Sequence, residues 1–202
     1  MSDSPSTLQR FPDHLDDSSE ERDWVARIRR GDAGAFKAMY DRHGDAMFAF
    51  AYACLKSRDE AQDVVHDIFL NILKNCTAFS VSGELRTYLL RAVYNRVATL
   101  RRHLRVELIS HESIVRDAGS PTEWAYRGNS DDPLLQRELG EALSRAVLTL
   151  PPRAQQAYRL VREQELPYAE AAEVMGISIH TVEVHLIRAL KALREQLASW
   201  RR

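Results

Sequence analysis

Apolar residues recur every three or four positions in two blocks of the sequence, and this spacing restricts the fold more than any other feature. The first block runs from Glu20 to Val106, and the second begins at Pro133. Residues 107–132 between them lack the spacing and are rich in Ser, Asp, Gly and Asn. Such spacing is typical of amphipathic helices, whereas strands alternate every second residue. The sequence therefore predicts an all-α protein of two small helical domains joined by a flexible linker.

The predicted domain boundaries follow the same changes in composition. Residues 1–19 are polar, rich in Ser, Asp and Pro, and aperiodic, so we expect a disordered N-terminal extension there. The first helical domain is assigned to residues 20–106, the linker to residues 107–132, and the second helical domain to residues 133–202.

Charge is segregated along the chain although the net charge is only -1. A uniformly basic nucleic-acid binder is therefore excluded, and any DNA surface must be local. The stretch 85–106 holds six arginines and no acid. A helix is predicted from Glu84 to Arg105, with Leu89, Val93 and Val97 on a buried face. Its arginines lie at other angles, so the opposite face is suited to phosphate contacts.

Several function classes find no support in the sequence. Cys54 and Cys76 are too far apart for a redox or zinc pair, so both are interpreted as reduced and structural. No phosphate-binding loop, dinucleotide glycine motif or H-E-x-x-H motif occurs, and His180 and His185 are poorly spaced for metal binding on one helix face. We therefore predict no catalysis, cofactor or metal. Without a long apolar run or a secretory signal, we expect no membrane insertion and a cytoplasmic location.

A capping box marks the start of another predicted helix. Ser57 can accept a hydrogen bond from a first-turn N–H, and Glu60 can reach back to it. The apolar positions that follow form one broad stripe: Ala61, Val64, Val65, Ile68, Phe69, Ile72 and Leu73. The acids Asp59, Asp63 and Asp67 fall largely on other faces. The pattern predicts a core helix with an acidic outer side.

Residues 166–185 have the layout of a helix-turn-helix. Gly176 can adopt the left-handed conformation that ends the first helix, and Ser178 can cap the second. Outward positions near the start of the second helix are suited to base edges in the major groove: His180, Thr181, Glu183 and His185. Arg188 and Lys191, further along, are suited to phosphates.

Together these segments resemble the extracytoplasmic-function branch of bacterial RNA polymerase sigma factors, from Asp23 to Leu197. Four segments bear the resemblance in order: residues 24–36 to the opening helix of region two, residues 59–70 to the polymerase-binding helix, residues 85–96 to the promoter-melting helix, and residues 150–194, with the helix-turn-helix, to region four. The resemblance implies a subunit that binds core polymerase and directs promoter recognition, DNA melting and initiation. It also implies an anti-sigma factor as a partner.

The resemblance assigns three sets of contact residues. The clamp coiled coil of the largest polymerase subunit is expected to contact Asp59, Asp63, Val64, Asp67 and Ile68. The downstream promoter element and its melting are assigned to Phe79, Arg86, Tyr88, Arg91, Asn95, Arg96, Arg101, Arg102 and Arg105. The upstream promoter element is assigned to His180, Thr181, Glu183, His185, Arg188 and Lys191.

Some positions depart from the family pattern and leave an alternative open. Tyr88 replaces the usual Trp, and Thr99 stands where Asp is common. Glu183 and His185 occupy positions where basic residues are frequent, so the usual upstream element cannot be assigned. The recognition helix also resembles that of LuxR-type activators, which would act without being a polymerase subunit.

Overall fold

The computed structural model describes residues 14–110 and 133–198, and the side chains of residues 19–102 and 137–198. Within these ranges the chain forms helices α1 (His14–Ile28), α2 (Ala33–Leu55), α3 (Arg58–Lys74), α4 (Leu85–Ser110), α5 (Pro133–Leu148), α6 (Pro152–Tyr158), α7 (Tyr168–Met175) and α8 (Ile179–Gln196). A 3-10 turn at Cys76–Ala78 follows α3, and a π-helical turn at Arg159–Glu163 continues α6. The predicted all-α fold is confirmed.

Side-chain caps explain where three of the helices begin. Asp32 Oδ1 accepts from Gly34 N at 2.8 Å at the start of α2. Ser57 Oγ accepts from Glu60 N at 3.3 Å, and Ser178 Oγ accepts from Thr181 N at 3.1 Å. Each bond satisfies an N–H that has no partner within the first turn. The predicted helix starts after Ser57 and Ser178 are therefore confirmed.

Two helices differ in length from the sequence-based expectation. Helix α1 begins at His14, before the expected start at Glu20. Helix α4 continues to Ser110, past the predicted end at Arg105. The sequence pattern alone fixes a helix end less sharply than a capping side chain does. Residues 1–13 and 111–132, which include most of the predicted extension and linker, lie outside the described residues.

Two helical bundles follow one another along the chain. Helices α1–α4 form the first bundle around Phe50, Met39, Leu89 and Val93, all fully buried. Helices α5–α8 form the second bundle, where six buried residues make a separate cluster: Ala146, Val147, Leu150, Ala154, Ala189 and Leu193. Most of the other buried apolar residues of both bundles belong to one continuous cluster, so the bundles pack directly against each other.

The turn of the helix-turn-helix requires a left-handed residue. Gly176 has φ +64° and no atom would lie within 4 Å of an added Cβ, so backbone strain alone opposes a side chain there. We expect Gly176→Ala to lower the free energy of unfolding by about 1–2 kcal/mol. Gly44→Ala is the matched control, because it lies inside α2 and its Cβ would meet the Tyr40 ring at an ordinary 3.7 Å.

The control should stabilise the chain by about 0.5–1 kcal/mol, since glycine inside a helix is unfavourable relative to alanine. Urea unfolding of both variants measures the two changes. Equal effects of the two substitutions would contradict a strained turn at Gly176.

Candidate nucleic-acid and protein interfaces

The outer face of α3 differs in part from its sequence-based assignment. Asp59 and Asp63 are exposed, as a docking surface requires. Val64 and Ile68 point into the core and are buried, so in this arrangement they support the helix rather than meet a partner. Leu73, expected in the core stripe, is half-exposed.

Leu70, which the sequence analysis did not single out, is half-exposed as well. Asp67 is also less available than Asp59 and Asp63, because its Oδ2 accepts from Arg96 Nη2 of α4 at 2.6 Å. The accessible face of α3 therefore combines two acids with two apolar side chains.

A groove of about 570 Å³ separates α3 from α4. Tyr88, Asn95 and Arg96 line its α4 side, and Asp67 and Leu70 are among the residues on its α3 side. The Tyr88 side of the groove is open, since that residue is 37% exposed. The Tyr88 ring is therefore accessible from solvent at the edge of the groove.

Phe79 lies behind Tyr88 rather than in the open groove. It is buried, and its ring meets the Tyr88 ring edge-on, with centroids 5.8 Å apart. Edge-to-face pairs of this kind are favourable. Phe79 therefore helps to position Tyr88, and its own ring faces have no room for a ligand in this arrangement.

The arginines of α4 are mostly engaged within the protein. Arg86 Nη2 donates to Gln164 Oε1 at 3.2 Å, and Arg91 Nη1 lies 3.3 Å from Glu173 Oε1. Arg101 donates to the carbonyl oxygen of Cys54. Arg102 is exposed, whereas the side chain of Arg105 lies outside the described residues. The predicted cationic face therefore exists, but several of its members already have protein partners.

Lys56 lies near the contact between the bundles and terminates α2 with φ 61°. Its pKa is lowered to about 8, chiefly by burial and next by the positive charge of Arg159 in the second bundle. The other ionisable groups that act on it are Cys54, Glu163 and Arg101. Burial also raises the pKa of the Cys54 thiol, as expected of an unreactive structural cysteine.

This lowered pKa predicts a pH dependence of stability. Below pH about 8 both the folded and the unfolded chain hold the Lys56 proton, and the folded state bears the full cost of the buried charge. Between pH about 8 and 10.5 the unfolded chain binds more protons, so stability should rise with pH. We therefore expect the wild-type chain to gain stability relative to Lys56→Gln as the pH rises from about 8 to 10.5. Parallel pH profiles for the two proteins would contradict the assignment.

The start of α8 presents the polar residues predicted for base contacts. His180 is largely exposed, and its Nδ1 lies 3.6 Å from Glu183 Oε2. The hydroxyls of Ser178 and Thr181 are 2.8 Å apart. The pKa of His185 is lowered by burial and by the charges of Arg188 and Arg153, which favours a neutral imidazole. The start of α8 therefore offers both hydrogen-bond donors and hydrogen-bond acceptors.

Further along α8, Arg188 and Lys191 are exposed. Exposed basic side chains beyond the base-reading positions are suited to phosphate contacts. The arrangement of α7 and α8 is thus that of a helix-turn-helix with its recognition helix accessible.

Neither a metal centre nor a membrane span is indicated in the part of the chain that the structure describes. No group of three or more His, Cys, Asp or Glu side chains there could hold a metal ion. The described helices include none with both the length and the apolar character that a bilayer crossing requires.

Two family models match the chain, one on each bundle. Residues 39–106 match Sigma-70 region 2, and residues 140–193 match Sigma-70, region 4. The first match contains α3 and the groove beside it, and the second contains the helix-turn-helix.

Curated relatives extend the similarity over most of the chain. The ECF RNA polymerase sigma factor SigW of Bacillus subtilis is 25% identical over 185 residues, covering 86% of this chain and 94% of that protein. The ECF RNA polymerase sigma factor BldN of Streptomyces coelicolor is 27% identical over 189 residues, covering 93% of this chain and 70% of that protein.

Solved structures share the fold. The sigma factor RpoE from Bartonella quintana, in complex with the anti-sigma factor NepR, aligns with a TM-score of 0.64 and 21% identity, covering 81% of this chain and 96% of that one. CnrH, in complex with the cytosolic domain of CnrY, aligns with a TM-score of 0.62 and 21% identity, covering 89% of this chain and 98% of that one.

Proposed function

The chain belongs to the sigma-70 family, in its extracytoplasmic-function branch, and we propose that its two bundles divide the work of promoter recognition between them. As a sigma factor it binds core RNA polymerase and directs promoter recognition, DNA melting and transcription initiation. The observation that supports this most strongly is the succession of a region 2 match and a region 4 match on consecutive helical bundles. The exposed acids of α3 and the accessible start of α8 add a docking face and a DNA-reading face.

Helix α3 is the proposed polymerase-docking element. Its exposed acids Asp59 and Asp63 would face basic residues of the clamp coiled coil, which steers the encounter and fixes its register. Leu70 and Leu73 would add apolar contact area at the other end of the helix. Val64 and Ile68 contribute by holding the helix on the core, and Asp67 contributes by its ion pair with α4.

The groove between α3 and α4 is the proposed site for a base released from the duplex. Opening DNA costs about 1.4 kcal/mol per stacked step, so melting requires a group that binds a base only after it has left the stack. Tyr88 can stack on such a base, and Asn95 can hydrogen-bond to its edge. Phe79 supports Tyr88 from behind. The α4 arginines would bind the adjoining phosphates: Arg86, Arg91, Arg96, Arg101, Arg102 and Arg105. Four of them would first have to leave their protein partners: Arg86, Arg91, Arg96 and Arg101.

Helix α8 is the proposed reader of the upstream promoter element. His180, Thr181, Glu183 and His185 would approach base edges in the major groove. Glu183 can accept from a cytosine amino group, which distinguishes it from the basic residues frequent in the family. Arg188 and Lys191 would bind the phosphates that fix the orientation of the helix.

The proposed partners and location follow from this function. We propose that the chain works in the cytoplasm beside the polymerase and has no catalytic chemistry of its own. RpoE was solved with the anti-sigma factor NepR, and CnrH with the cytosolic domain of CnrY. By analogy we propose that an anti-sigma factor also binds this chain.

An in vitro run-off assay with purified core polymerase tests the function. The chain alone should confer promoter-specific initiation on the core enzyme. A LuxR-like activator, in contrast, would bind its operator unaided and would still require another sigma factor for transcription. Initiation that depends on a second sigma factor would overturn the proposal.

A further inference from the structure

Two apolar side chains lie on the outward face of α8. The buried residues Val182, Leu186 and Ala189 define the inner face of the helix. Val184 is partly exposed, and Ile187 is 66% exposed, the largest value among the exposed large apolar side chains of the described residues. Because successive helical residues are about 100° apart, both side chains point away from the core. The outward face of α8 is therefore apolar at its centre.

Basic side chains surround this apolar centre. His180 lies four residues before Val184, Lys191 lies four residues after Ile187, and Arg188 follows Ile187 directly; all three are exposed. Residues four apart are neighbours on a helix surface. Protein surfaces that bind DNA are richer in positive charge than those that bind proteins, and basic side chains beside the base-reading positions are suited to phosphates. The charge around the apolar pair therefore favours DNA over a protein partner.

Thymine has an apolar group on its major-groove edge. Its C5 methyl lies beside the O4 acceptor, whereas adenine, guanine and cytosine are marked there by hydrogen-bonding groups. An apolar side chain that covers such a group leaves a donor or acceptor without a partner, which costs free energy. Val184 and Ile187 are about 4.5 Å apart along the helix axis, and stacked base pairs are about 3.4 Å apart. The two side chains can therefore face adjacent base pairs.

We propose that Val184 and Ile187 select thymine at two adjacent positions of the upstream promoter element by packing against the C5 methyl groups. The inference rests on the proposed function, since it takes α8 to be the helix that reads this element. It adds two apolar residues to the polar and basic ones that were assigned to base edges and phosphates. Those residues supply hydrogen bonds and charge, and the apolar pair supplies the preference for a methyl group.

The expected effect follows from the size of one methyl group. Its burial against an apolar side chain corresponds to about a fourfold gain in affinity. Deoxyuridine has the base pairing and the O4 acceptor of thymidine but lacks the C5 methyl. Replacing thymidine by deoxyuridine therefore removes the proposed contact and leaves the hydrogen-bonding groups of the base pair in place.

Promoter selection followed by methyl removal tests the proposal. Holoenzyme made from core polymerase and the full chain is incubated with promoter DNA whose upstream block is randomised, and the bound DNA is sequenced. We expect two adjacent thymines on one strand of the enriched element. Deoxyuridine at either of these positions should weaken holoenzyme binding by about fourfold. Deoxyuridine outside the element should leave binding unchanged.

Substitutions in α8 relate each methyl group to one side chain. Ile187→Ala should abolish the effect of deoxyuridine at one of the two positions, and Val184→Ala should abolish it at the other. Ile187→Val keeps a branched apolar side chain and should retain most of the thymine preference. The matched control is Leu148→Ala, because Leu148 is a large apolar residue of α5 that is 43% exposed. The control should respond to deoxyuridine as the wild-type chain does.

The outcomes separate a failure of this proposal from a failure of the proposed function. A pool without any enriched upstream sequence would overturn the assignment of α8 to this element, and the thymine contacts with it. An enriched element that binds equally well with deoxyuridine would overturn thymine selection alone. An equal response of Ile187→Ala, Val184→Ala and wild-type holoenzyme to deoxyuridine would also overturn it. Circular dichroism establishes that the variants keep their helices.

Discussion

Reversal of Asp59 and Asp63 to lysine is expected to weaken the binding of core polymerase by about tenfold or more, which corresponds to at least about 1.4 kcal/mol. Both acids are exposed on the accessible face of α3. Placing like charges against a basic partner costs up to several kilocalories per mole and slows the encounter. A fluorescence binding assay with labelled core enzyme measures the affinity, and run-off transcription should fall with it at limiting protein.

The matched control reverses Asp45 and Glu195, two exposed acids outside α3. It changes the net charge by the same amount but leaves the proposed docking face intact, so its affinity should stay near that of the wild-type chain. An equal loss in both variants would show that only the overall charge matters. Unchanged affinity of the Asp59/Asp63 variant would remove α3 from the polymerase interface.

Replacing Phe50 with alanine is expected to lower the free energy of unfolding by about 3–5 kcal/mol. Phe50 is 1% exposed and is among the largest fully buried side chains of the described residues. Its removal leaves a cavity at the centre of the first bundle. Since single domains are stable by only about 5–15 kcal/mol, this loss would leave the first bundle marginally folded. Urea unfolding followed by circular dichroism measures the change.

Ile187→Ala is the control, because Ile187 is also a large apolar residue but is 66% exposed on α8. Substitutions at such surface positions usually change stability by less than about 0.5 kcal/mol. Similar effects of the two substitutions would contradict the position of Phe50 in the core. A loss confined to Phe50→Ala would support the described packing of the first bundle.

Local signals in the sequence were sufficient to predict much of the secondary structure. Ser57 and Ser178 each satisfy an N–H within the first turn of their own helix, so a short sequence window identifies both starts. The left-handed turn at Gly176 can likewise be predicted from the residue type alone. The buried stripe of α3 followed the helical period as far as Ile72. These features depend on neighbours in the chain, which the sequence displays directly.

Features set by long-range packing could not be predicted in this way. Leu73 continues the apolar stripe of α3 but is half-exposed, whereas the adjacent Ile72 is buried in the core. The sequence analysis assigns both Phe79 and Tyr88 to promoter melting, yet Phe79 is buried behind Tyr88. Helical periodicity gives the direction of a side chain but not the neighbour that covers it.

The interdomain contacts are the clearest example of this limit. Arg91 and Glu173 are separated by 82 residues in the sequence, and no local pattern relates them. The sequence analysis assigned Arg86 and Arg91 to phosphates, which fits their charge. It could not anticipate that Gln164 contacts Arg86 and that Glu173 contacts Arg91. Only the packing of α7 against α4 brings Arg91 and Glu173 together.

Sequencing the 5′ ends of transcripts tests most directly whether the chain selects promoters as a polymerase subunit. Purified core polymerase would transcribe genomic DNA with and without the chain, in the absence of any other sigma factor. The account predicts a defined set of start sites that appears only when the chain is present and that shares sequence upstream of each start. The same scattered starts with and without the chain would contradict it.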